Sequence, residues 1–82
     1  METIPHTVHH GRNIRRLREI LNIKQDTVAA ELQISQQAMS KLEQKDVIDD
    51  DVLERVSRVL NIPVNVVKNF SEESAVNIIQ YF

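Results

Sequence analysis

Apolar residues recur along the chain at three- and four-residue intervals, the period of a helix that buries one face. Ile14, Leu17 and Leu21 form one stripe, Val28, Ala29 and Leu32 a second, and Met39 and Leu42 a third, with Ile34 as an apolar anchor between the last two. No stretch alternates for more than a few residues, so strands are not expected. The spacing predicts a first helix from about Val8 to Leu21 capped by Thr7, a second over Gln25–Leu32, and a third over Gln36–Glu43 with Ser35 as N-cap. A fourth helix starts in the acidic cluster Asp49-Asp50-Asp51, whose charges suit a helix N-terminus, and ends near Leu60. A fifth begins at Pro63 or Val64, since proline fits only the first turn. After Ser71-Glu72-Glu73-Ser74, the residues Ala75, Ile78, Ile79 and Phe82 make one more stripe and predict a short sixth helix.

The second and third helices are about two turns each, too short to stand alone, so they must pack on each other and on their neighbours. Ala29 is small where two backbones must approach. The outward side of the third helix carries Ser35, Gln36, Gln37, Ser40 and Lys41, all able to hydrogen-bond. A glutamine amide donates and accepts at once, which matches the N6/N7 edge of adenine in a major groove. On an isolated helix these would be ordinary solvated positions; a preceding helix and tight turn make base reading the sharper alternative.

Gln25, Ala29, Ile34, Ser35, Gln37, Ser40, Leu42 and Glu43 fall without gaps on the pattern Q-x3-A-x4-[IV]-S-x-Q-x2-S-x-[LW]-E. In this the chain resembles the XRE, or lambdoid phage repressor/Cro-like, helix-turn-helix family. Ile14, Leu17, Leu21 and Ile23 look like that family's first helix and the link after it. Val52, Leu53, Val56, Val59, Leu60, Ile62, Val64 and Val67 look like its fourth and fifth. The resemblance covers roughly residues 10 to 70 and implies an all-α, five-helix lambda-repressor-like DNA-binding domain over 8–70, with a flexible arm over 1–7 and the extra helix over 71–82.

The resemblance also implies roles. Gln36, Gln37, Ser40 and Lys41 correspond to base-contacting positions. Gln25 corresponds to a glutamine at the start of the second helix that meets the DNA backbone, with Lys24, Ser35 and Lys45 as further backbone contacts. Arg18 and Glu43 match a structural ion pair between the first helix and the end of the third. Ala75, Ile78, Ile79 and Phe82 would either lie back on the core or form a two-fold dimer contact. Because the stripe runs to Tyr81-Phe82 without polar residues, the natural protein is expected to continue past residue 82.

The 82 residues fit one small domain, and folds of this size bury only about 60–65% of the surface their unfolded chains expose. With no cysteine there is no disulfide framework, and no run is apolar enough to span a membrane. The N-terminus lacks a secretory signal, so a cytoplasmic protein is expected. His6, His9 and His10 read as part of a polar arm rather than a metal site, and no phosphate loop, metalloprotease spacing or nucleophile elbow is present. The chain therefore reads as a non-enzyme needing no cofactor or metal.

Charge resists this reading. The net charge is −2, with five Arg and Lys against two Glu over residues 1–24 but two against eight acids over 25–54. DNA affinity depends on neutralising phosphates, so positive charge must be concentrated on one face. Arg12, Arg15, Arg16, Lys24, Lys41 and Lys45 are the candidates, whereas the loop Gln44–Asp51 would repel a phosphate beyond Lys45. The one glycine is Gly11. Left-handed residues, usually glycine, are needed after the first and fourth helices and often in the recognition turn; here Asn22, Asn61 and Gln33 stand there. Gln33 is the least comfortable and predicts a strained turn or a slightly altered angle between the second and third helices. Two functions survive: a sequence-specific regulator that binds double-stranded DNA as a homodimer, or a protein-interaction, antitoxin-like module that holds a protein partner through its acidic face and apolar tail.

Overall fold

Among the described residues, each expected stripe folds into a helix whose apolar side turns inward. The computed structural model describes residues 9–70, which form α1 (His10–Ile20), α2 (Gln25–Leu32), α3 (Gln36–Leu42), α4 (Asp50–Leu60) and α5 (Val64–Asn69), all α-helices. The arm over 1–7, Thr7, Val8 and the expected sixth helix with Ala75, Ile78, Ile79 and Phe82 lie outside the described residues.

The core is built from Ile14 and Leu17 of α1, Val28 of α2, Met39 of α3, Leu53 and Val56 of α4 and Val67 of α5, all fully buried. Helix α2 packs on α3 and α4, while α1 packs on α4 and α5. The short helices α2 and α3 are thus stabilised by burial rather than by their own hydrogen bonds. Two core residues fall outside any helical stripe. Ile48 lies in the loop before α4 and Phe70 follows α5, and both are buried.

Helix α1 begins later than the expected Val8, and with a different cap. His9 is its N-cap: the imidazole Nδ1 accepts from the Arg12 amide at 2.9 Å. The amides of His10 and Gly11 donate to the carbonyls of Asp46 and Lys45, each at 2.9 Å, and that of Asn13 to His9 O at 3.0 Å. The amides of His10, Gly11 and Arg12, which the helix itself leaves unpaired, are therefore satisfied, two of them by the loop that follows α3. His9 and His10 accordingly do not belong to a loose arm. His9 Nε2 lies 3.0 Å from Asp46 Oδ1, and His10 Nδ1 accepts from the Ile48 amide at 2.9 Å.

Gly11 is used for this junction and not for a turn. A Cβ at position 11 would stand 2.5 Å from both the carbonyl carbon and the oxygen of Glu43. No real side chain accepts that approach, so the start of α1 meets the end of α3 only through glycine.

The three helix ends that lack glycine do turn left-handed, with φ of 60° at Asn22, 60° at Gln33 and 59° at Asn61. Gln33 therefore carries the strain its side chain implies. At that turn its amide bonds the carbonyls of Ala29 and Ala30, and the Ile34 amide also reaches Ala29 O at 3.0 Å, closing α2.

Candidate nucleic-acid interface

The side of α3 opposite Met39 is the candidate surface. Ser35 caps the helix, its Oγ accepting from the Ala38 amide at 3.0 Å. Gln36, Gln37 and Lys41 are exposed. Ser40 is half-buried and lines a polar groove with Arg15, Arg18, Glu19, Gln25, Glu43 and Gln44. Helix α3 ends at Leu42, one residue earlier than expected, and Glu43 serves as its C-cap.

One chain of side-chain contacts runs from the protein interior to this surface. Arg18 Nε donates to Glu43 Oε2 at 2.8 Å and its Nη2 to Oε1 at 3.2 Å, a bidentate pair with only 4% of the Glu43 side chain exposed. Arg18 Nη1 also donates to the Ile23 carbonyl at 3.0 Å, which fixes the link between α1 and α2. The same Glu43 Oε1 accepts from Gln25 Nε2 at 3.1 Å, and Gln25 Oε1 accepts from Gln36 Nε2 at 3.3 Å. A buried carboxylate thus orients Gln25, and Gln25 orients the first residue of α3. The Arg18–Glu43 pair ties α1 to the C-cap of α3. Within the protein the Gln25 side chain spends Oε1 and one Nε2 hydrogen, so its second Nε2 hydrogen and its backbone amide remain open to a phosphate.

That amide is well placed for one. Lys24 caps α2 without a side-chain hydrogen bond, and the amides of Gln25 and Asp26 make no backbone hydrogen bond among the described residues. An open helix N-terminus carries a partial positive charge and free donors.

The positive charge is unevenly available. Arg15 Nε and Arg16 Nη1 both bond Glu19, at 3.3 and 3.0 Å. The hydrogen bond from the Arg16 guanidinium, with Arg15 beside it, holds the Glu19 carboxyl below the usual carboxylate range against the opposing effect of burial. Arg12, Lys24, Lys41 and Lys45 are exposed and form no ion pair among the described residues. In the acidic loop, Asp46 meets His9 and Asp50 meets Lys68 Nζ at 3.0 Å. The Asp50 charge is therefore matched by Lys68 of α5, and Asp46 is engaged by the His9 ring.

Comparison with known proteins finds one family model, described as helix-turn-helix, that matches residues 14–67. The chain belongs to the XRE-type helix-turn-helix family. Neither a curated protein nor a solved structure matches it. The match runs from Ile14 in α1 to Val67 in α5 and so takes in all of the described core except Phe70. Family membership makes the chain a DNA-binding regulator in general terms. No helix among the described residues is long and apolar enough to cross a membrane.

Within this helix-turn-helix domain, α2, the Gln33 turn and α3 form the motif itself. Sequence reasoning missed the side-chain bridge from Gln25 to Gln36. A signal was available, since two glutamines at the first positions of the two motif helices are able to exchange an amide hydrogen bond. It also missed Arg55, whose Nη2 donates to the Leu32 carbonyl at 3.1 Å. No local pattern marks an arginine whose partner lies 23 residues away.

Proposed function

We propose that this helix-turn-helix protein is a sequence-specific transcriptional regulator that acts as a homodimer on a palindromic operator, with residues 35–43 as its recognition helix. The observation that carries the reading is the fixed orientation of Gln36. Its Nε2 gives one hydrogen to Gln25, and the second hydrogen and Oε1 remain for a base. A donor and an acceptor side by side on a preset amide complement N7 and N6 of adenine, and presetting reduces the entropy lost on contact.

Gln37, Ser40 and Lys41 supply the remaining base contacts in this reading. The Gln25 amide, Lys24, Ser35 and Lys45 hold the backbone, so that phosphate contacts set the register while α3 reads sequence. A single short helix reads few base pairs, and a two-fold pair of such helices reaches half-sites one helical turn apart, which is the reason for a dimer.

The test is fluorescence anisotropy of operator and scrambled duplexes with the Gln36→Ala, Gln37→Ala double variant, alongside circular dichroism. Operator discrimination should fall by about 1–3 kcal/mol per lost base contact, with the helical spectrum unchanged. Undiminished discrimination in a folded double variant refutes the assignment.

A further inference from the structure

The turn between α2 and α3 has to hold the aim of the recognition helix without the glycine that would make it comfortable. Gln33 sits at φ 60° and ψ 41°. The carbonyls of Ala29 and Ala30 are closed by the turn's own amides. The Leu32 carbonyl, last in α2, is taken by Arg55 Nη2 at 3.1 Å from α4. A guanidinium at a helix C-terminus meets both an unpaired acceptor and the negative end of the helix dipole. Arg55 makes no ion pair with any carboxylate among the described residues, so this carbonyl is its only polar partner there.

We propose that Arg55 is a positioning residue for the recognition helix: by tethering the last peptide of α2 to α4, it sets the direction in which the chain leaves the Gln33 turn and hence the aim of α3. Its consequence for DNA rests on the function proposed above; its structural part does not. Met39 and Val28 hold α3 and α2 to the core through apolar contacts, which have no preferred direction. The Arg55 bond is directional, and it acts on the peptide that enters the turn.

The experiment compares wild type, Arg55→Ala, Gln33→Gly and the double variant. Backbone residual dipolar couplings give the orientation of α3 relative to α4, anisotropy gives operator discrimination, and thermal melts give stability. Arg55→Ala should reorient α3 and cut discrimination about tenfold, the loss of one well-aimed base contact. Gln33→Gly relieves the left-handed strain, so the double variant should regain Tm while discrimination stays low. It also supplies a folded background should Arg55→Ala alone unfold. An unchanged α3 orientation in the Arg55→Ala chain, or discrimination that returns together with Tm, overturns the proposal. If wild type itself shows no discrimination, the DNA reading fails, and the couplings alone decide whether Arg55 directs the helix.

Discussion

Gln36 Nε2 donates to Gln25 Oε1 across 3.3 Å, joining the first residue of α3 to the first residue of α2, and Gln25 in turn is held by Glu43 at 3.1 Å. The two glutamines therefore act as one unit on the surface. In a double-mutant cycle on operator affinity, Gln25→Ala and Gln36→Ala should be non-additive, with a coupling of about 0.5–3 kcal/mol. Additive losses would mean that Gln25 contributes independently of Gln36.

Arg18 and Glu43 anchor that unit, and their pair is nearly dry, with 12% and 4% of the two side chains exposed. Arg18→Ala leaves a buried carboxylate whose main partner is gone, and should destabilise the fold by about 3–5 kcal/mol in urea unfolding. Arg18→Lys should not restore it, because one ammonium cannot make the bidentate pair and also reach the Ile23 carbonyl. A loss below about 1 kcal/mol, the range of an exposed pair, would contradict this account.

Gly11→Ala should lower stability by about 1–3 kcal/mol through forced separation of α1 from the end of α3. Thermal melts of the variant check it. A Tm equal to wild type would mean that the junction yields freely.

Helix positions were legible in the sequence because they depend on local periodicity. The stripes over 14–21, 28–32 and 39–42 and the breaks at Asn22, Gln33 and Asn61 all stand where the pattern puts them. What was not legible depends on partners far along the chain. The start of α1 was set too early because Thr7 and Val8 resemble a cap and a first apolar position, whereas the observed cap uses the His9 ring and two carbonyls from 45 and 46. Gly11 has no role that the sequence marks, and its need for glycine comes from the Glu43 carbonyl that stands against it. Ile48 belongs to no stripe, and its burial follows from the loop being tied to α1. The candidate site divides in the same way: the polar residues of α3 were named from their spacing, but the bond of Gln36 to Gln25 and that of Arg55 to the Leu32 carbonyl are tertiary contacts.

The central claim is that this surface reads a DNA sequence as a two-fold pair. It is tested most directly by selecting bound duplexes from a random library, then titrating the enriched duplex against a scrambled one at two salt concentrations. The account predicts an enriched palindrome with half-sites about 10 base pairs apart and an affinity that falls as salt rises. No enriched sequence and no salt-dependent binding would contradict it.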